Sequence, residues 1–337
     1  MIELDPAGGV LVRATDEQVF WTGRIEATSS VGSPRWLVDS RALATYLASV
    51  PGGNRTTVKF ARSPERHALV VSAGKSKARF ALMPPDGFPQ WGWDFGNPSG
   101  TTPQVDDVTT AAQAVAAVAW AAAPDSGAGN VQLSGVRVAQ GVAVATDRYV
   151  LAACRYDGPP VGPLTVSPRG VKALARHQVP DLRCAHGALV ATDGTASQSR
   201  SPVLAGDYPN VERVMRRDQP DVARLDGGTL KALAARADAV VPSNPGQGCT
   251  VHLGAGELVL SLESHNGTSW MEAIPASNTE HARVAFHFQA VYLRRVLARC
   301  AGAEVLLHYD HTAPATPWRF ELDTGPEIWT MPLRSGT

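Results

Sequence analysis

The chain has 337 residues, of which 44% are hydrophobic and 18% charged, with 31 Lys plus Arg balancing 31 Asp plus Glu. That length supports two or three soluble cores, and zero net charge excludes a global field that gathers nucleic acid. The nearest approach to a membrane span, Val105 to Ala123, is alanine-rich and contains Asp106, Asp107 and Gln113, and Met1-Ile2-Glu3-Leu4-Asp5 does not read as an export signal.

In chain order, Trp36-Leu37-Val38-Asp39-Ser40-Arg41-Ala42-Leu43 reads as an apolar strand end, a polar cap and a helix with an apolar stripe. Short alternating strands are predicted over Thr57–Phe60, Ala68–Val71 and Ala78–Leu82, with a hairpin turn at Gly74-Lys75-Ser76-Lys77. A helix is predicted over Val108–Ala123, with Asp106 and Asp107 facing its N-terminal dipole. The strand–cap–helix pattern returns at Leu164–Val171. Another helix is predicted over Thr229–Val241, with Leu230, Leu233, Ala237 and Val240 on one face. The pattern comes a third time at Ala285–Val291, followed by strands at Glu304–His308 and Trp318–Leu322.

These recurrences keep a fixed step. Val38 to Val166 is 128 residues and Val166 to Phe286 is 120; Phe88-Pro89 and Tyr208-Pro209 lie 120 apart, and Pro124 and Pro242 lie 118 apart. A repeat of that length is a small domain rather than a solenoid unit. The expected architecture is α+β, three tandem domains of two helices on antiparallel sheets, over 1–102, 103–222 and 223–337. With those boundaries 63 residues precede Val166 and 63 precede Phe286, but only 37 precede Val38. The first domain is short by an opening strand and helix, so either the start is misassigned or the element is absent.

Catalytic signatures are weak. There is no G-x-x-x-x-G-K-[ST], G-x-S-x-G or H-E-x-x-H motif. His308-Tyr309-Asp310-His311 has no third metal ligand nearby in sequence. Cys154, Cys184, Cys249 and Cys300 lack C-x-x-C spacing and read as buried reduced thiols. The sequons at Asn54 and Asn266 read as chance matches. No metal or cofactor is expected, and a Cys- or His-dependent hydrolase is the weakest of the readings.

Four segments carry a resemblance. Ala145-Thr146-Asp147-Arg148-Tyr149-Val150-Leu151-Ala152 resembles the A-T-D-G-H-R-L-A motif of the bacterial sliding clamp family, the β subunit of DNA polymerase III. Gly206-Asp207-Tyr208-Pro209-Asn210-Val211-Glu212-Arg213-Val214 is similar to that family's G-R-F-P-D-Y-R-R-V stretch. Trp329-Thr330-Met331-Pro332-Leu333-Arg334 is similar to its V-V-M-P-M-R terminus, and Ser76 to Pro89 resembles the strand before its first F-P. The landmarks fall in order along nearly the entire chain.

The resemblance implies a head-to-tail homodimer whose six domains ring duplex DNA. Such a protein is a non-catalytic processivity factor, cytoplasmic and nucleoid-associated, which tethers a polymerase and is loaded by a separate ATP-driven clamp loader. A ring retains DNA by topology, so sparse, sequence-blind phosphate contacts suffice. The basic residues offered for that role are Arg41, Arg169, Lys172, Arg176, Lys231, Arg236, Arg294, Arg295 and Arg299, whereas Val108–Ala123 has none. The resemblance also implies a pocket for a short Gln-then-Leu/Phe partner peptide, at Leu133, Thr146, Leu151, Pro209, Arg213, Val214, Met331, Pro332 and Leu333, with Tyr149 and Trp318 on its wall. Arg148-Tyr149-Val150 departs from the family's Gly-His-Arg, Trp329 replaces a small aliphatic, and Ser335-Gly336-Thr337 extends past the expected end. The subunit seam is expected to join Phe80 and Leu82 of one copy to Val240 and Val241 of the other. The competing reading is a clamp-like interaction protein that binds replication or repair partners without encircling DNA.

Overall fold

The structure, a computed structural model, describes residues 1–4, 9–17, 19–27, 35–50, 57–63, 67–89, 110–124, 131–157, 163–174, 181–185, 188–192, 197–242, 244, 246–264, 266–300, 302 and 304–333. The first stretch runs β1 (Ile2–Leu4), β2 (Val10–Thr15), β3 (Phe20–Ile25), β4 (Arg35–Trp36), α1 (Ser40–Ser49), β5 (Val58–Arg62), β6 (Ala68–Ala73) and β7 (Ser76–Ala81). The second runs α2 (Ala111–Val118), β8 (Val136–Ala139), β9 (Val142–Thr146), β10 (Val150–Arg155), β11 (Leu164–Val166), α3 (Pro168–Leu174), β12 (Asp181–Ala185), β13 (Ala188–Thr192) and β14 (Ser197–Pro202). The third runs β15 (Asp221–Asp226), α4 (Gly227–Val240), β16 (Gly248–Gly254), β17 (Glu257–Glu263), β18 (Ser269–Pro275), β19 (Val284–Gln289), α5 (Ala290–Leu297), β20 (Glu304–Tyr309), β21 (Trp318–Leu322) and β22 (Glu327–Thr330).

Four strands, a helix and three strands therefore occur three times. Within each group of four the first strand is central, flanked by the second and the fourth: β3-β2-β1-β4, β10-β9-β8-β11 and β18-β17-β16-β19. Each group of three is an antiparallel meander. A helix precedes the four strands in the second and third copies, α2 and α4; the first copy opens on β1.

The chain divides into two compact units, Met1–Pro103 with Lys172–Pro202, and Gln104–Val171 with Val203–Thr337. The division crosses the repeats because the second and third meanders each pair with the preceding copy. In the first unit β14 adds to β3, giving the seven-stranded order β12-β13-β14-β3-β2-β1-β4, with β5-β6-β7 as a separate sheet. In the second, β22 adds to β10, giving β11-β8-β9-β10-β22-β21-β20-β15, with β18-β17-β16-β19 separate. The expected boundary at 102/103 lies outside the described residues, and that at 222/223 falls inside β15.

Helix starts follow from their caps. The Asp39 carboxylate accepts from the Ala42 amide at 2.7 Å, and that of Asp226 from Thr229 at 2.6 Å. Helix α2 begins at Ala111, with Thr110 and Gln113 closing a reciprocal capping box. Asp106 and Asp107 lie outside the described residues. The apolar stripe of α1 joins Ile2, Val38, Leu43, Leu69 and Val71 in the first unit's core. The second unit has an aromatic core, with Trp318 edge-on to Phe286 and Phe288 at 4.8 Å each. Cys154, Cys249 and Cys300 are buried and free, while the Cys184 side chain lies outside the described residues. No helix among the described residues is long and apolar enough to cross a membrane.

Candidate functional sites

Residues directly opposite on paired strands share a sheet face. Leu151 faces Thr146 on one side and Trp329 on the other, so these three line one face of the second unit's large sheet. Trp318 and Phe320 pair with Thr330 and Ile328, which puts them on the opposite face. Trp318 is thus a core residue, 1% exposed, and not part of a pocket wall.

On the Leu151 face, Val144, Leu151, Ala153 and Trp329 form a buried cluster, covered by Val211, Val214 and Met215. Trp329 is fully buried, and its indole Nε1 donates to the Arg216 carbonyl oxygen at 3.1 Å. The indole thus packs between Leu151 and the 211–215 segment, on the sheet face where the apolar pocket is expected. Leu133 is not in this cluster; it packs with Ala123 and Tyr208, with Val211 touching both groups. The buried Thr146 hydroxyl donates to the Val150 carbonyl oxygen at 2.7 Å and accepts from the Arg148 amide at 3.1 Å, so it holds the turn.

That turn displays Tyr149. Asp147 accepts from the amides of Tyr149 and Val150 at 3.0 and 2.9 Å, and Arg148 sits at φ +83°. Tyr149, 40% exposed, stacks on Tyr292 with centroids 4.3 Å apart. Its carbonyl oxygen accepts from the Met331 amide at 3.1 Å, and the Leu333 amide donates to His287 at 2.6 Å. Pro332 is buried and Leu333 exposed, while Pro209 is half-buried and Arg213 exposed. Tyr292 is absent from the sequence-based site; it sits on α5, directly after the third strand–cap–helix pattern.

The cations divide sharply. Arg41 on α1, Arg169 and Lys172 on α3, and Lys231 on α4 are exposed. Arg236 is also exposed but pairs with Glu272. Arg294 is 3% exposed and donates to Asp238 and to the Val241 carbonyl oxygen, each at 2.6 Å, so it is a buried tie and not a phosphate contact. Arg295 donates to Asp147 and to the Trp120 carbonyl oxygen at 2.6 Å each, and it lies over the Trp120 ring. Its charge is neutralised there, so it too leaves the phosphate-binding set. Arg299 is exposed and also lies over the Trp120 ring, 5.4 Å from its centroid. Arg176 lies outside the described residues, as do Arg334, Ser335, Gly336 and Thr337.

Of the expected seam residues, Val240 is 44% exposed, but Val241 is fully buried in the second unit's core. Phe80 and Leu82 are half-buried against the first unit's core, with Phe80 edge-on to Tyr46 at 5.8 Å. His308 and His311 turn to different carboxylates, Glu321 at 3.0 Å and Asp221 at 2.7 Å. No group of three or more His, Cys, Asp or Glu among the described residues is arranged to hold a metal.

No protein-family model and no curated protein sequence matches the chain. Solved structures do match. The DNA polymerase III subunit beta of Pseudomonas aeruginosa aligns at TM-score 0.79 and 20% identity, covering 99% of this chain and 91% of that one. The beta subunit of Thermotoga maritima aligns at TM-score 0.80 and 17% identity, covering 99% and 90%. That of Streptococcus pyogenes aligns at 0.79 and 15%, covering 99% and 91%. Across essentially its whole length, this chain has the fold of the bacterial DNA polymerase III beta subunit, the DNA sliding clamp.

Proposed function

We propose that the protein is a DNA sliding clamp: a non-catalytic homodimer that encircles duplex DNA and tethers a replicative polymerase. Its fold is that of the beta subunits to which it aligns. The observation that carries the reading is a rule of strand pairing. The second copy's meander pairs through β14 with β3 of the first, and the third copy's through β22 with β10 of the second. The first copy's meander ends at β7 and the third copy's four strands end at β18, both sheet edges among the described residues. A second chain placed head to tail joins β7 to β18 and regenerates the same seven-strand order. Phe80 then lies near the start of β18, beside the exposed Val240. Two such joins close a ring.

Sparse cations fit a clamp that slides. Arg41, Arg169, Lys172, Lys231 and Arg299 give exposed positive charge on a neutral protein, enough to centre phosphates without gripping them. Partner docking, clamp loading and a cytoplasmic, nucleoid-associated location belong to the same reading.

Two measurements test it. Sedimentation gives a dimer for the wild type and a monomer for Val240→Glu, which places a charge in an apolar seam without disturbing the protomer's core. The dimer, once loaded, is retained on nicked circular DNA and lost on linearisation. A wild-type monomer with no topology-dependent retention overturns the reading in favour of a partner-binding protein that does not encircle DNA.

A further inference from the structure

We propose that Trp329 is a resident occupant of the apolar partner site, so that this clamp rejects the large apolar anchor of a docking peptide. The inference rests on the clamp reading. Its physical basis is the fate of one side chain. The indole is fully buried among Leu151, Ala153, Val211, Val214 and Met215. Leu151, the floor of the site, is 2% exposed, so nothing apolar is left open there.

The cover over the indole is irregular chain rather than helix or strand. It is pinned by the Trp329 Nε1 bond to the Arg216 carbonyl oxygen at 3.1 Å, by the Arg217–Glu327 ion pair and by Gln219 Nε2 on the Pro317 carbonyl oxygen at 3.3 Å. A smaller aliphatic at 329 could neither fill the space nor hold Arg216, and it would leave an apolar void of the kind that binds a leucyl or phenylalanyl side chain. With the indole in place, a partner meets the Tyr149–Tyr292 stack and the exposed Arg213 and Leu333.

A short fluorescein-labelled peptide with Gln at its first position and Leu-Phe at its end is titrated by fluorescence polarisation against wild type, Trp329→Val and Trp329→Leu. The folded variants bind it at least about tenfold more tightly than wild type. Wild type binding as tightly as a folded variant, or no binding by any of the three, overturns the inference. If neither variant folds, wild type labelled with 5-fluorotryptophan decides, with Trp329→Phe used to assign the fluorine signal. Peptide binding with that signal unmoved overturns the plug; absence of binding, or binding that moves the signal, supports it. Retention on circular DNA is read separately, so a failed ring and a failed plug are distinguishable.

Discussion

Arg294 on α5 reaches the end of α4, donating to the Asp238 carboxylate and the Val241 carbonyl oxygen across 2.6 Å each. The guanidinium is 3% exposed while the Asp238 side chain is 55% exposed, so removing the arginine strands a carbonyl and a void more than a buried carboxylate. Arg294→Ala is expected to cost about 2–3 kcal/mol in urea unfolding, the upper part of the range for leaving a buried polar group unsatisfied and just under that for breaking a fully buried pair. A loss under about 0.5 kcal/mol, as at an ordinary surface site, would show that the tie is not structural.

The exposed cations should behave in the opposite way. Lys172→Ala and Lys231→Ala are expected to leave stability within about 0.5 kcal/mol, since both side chains are exposed. If each contacts one phosphate, each lowers the slope of log affinity against log salt by about 0.9 on short duplex DNA. Unchanged slopes in both variants would remove α3 and α4 from the DNA-facing surface.

How much of this could be read beforehand depends on what each feature rests on. The repeat was legible because strand–cap–helix signatures are local: Asp39 and Ser167 cap their own helices from adjacent residues. The meander-to-preceding-copy pairing was not, because β14 meets β3 across most of two repeats and no local pattern records it. Arg294, Arg295 and Arg299 look alike on the sequence, where three arginines beside an apolar stripe suggest one charged face. Arg294 instead falls on the buried side with Leu293 and Val296, and Arg295 finds Asp147, a partner distant in sequence. Trp329 was visible as a departure, but its consequence needed the ladder that puts it beside Leu151.

The thiols give a pH prediction. Burial pushes the Cys249 and Cys300 thiols up to about 12 and raises that of Cys154 as well. A thiol whose folded pKa exceeds its unfolded value contributes stability that is complete below the unfolded pKa and declines as pH rises above it. Stability should therefore fall from about pH 9 upward, where the unfolded chain gains thiolates that the folded chain withholds. Iodoacetamide at about pH 8.5 should modify none of the three in native protein and all three in urea, by peptide mass mapping. Native labelling of Cys249 or Cys300 would mean that those cores open.

Arg148 holds φ +83° in the turn that displays Tyr149, a left-handed conformation that costs a side-chain-bearing residue about 1–2 kcal/mol. Its neighbours fix the turn without it: Asp147 holds the Tyr149 and Val150 amides, and the Thr146 hydroxyl holds the Arg148 amide itself. A backbone amide is retained in any substitution other than proline, so Arg148→Gly keeps every one of those bonds while it removes the strained Cβ together with the rest of the side chain. Glycine also loosens the unfolded chain, which offsets about half of the gain. The expected net effect is a rise of about 0.5–1 kcal/mol in unfolding free energy, with the Tyr149–Tyr292 stack intact by tyrosine fluorescence or NMR. A destabilised Arg148→Gly would instead mean that contacts of the guanidinium outweigh the strain, making the arginine itself, rather than the turn, what holds Tyr149 in position.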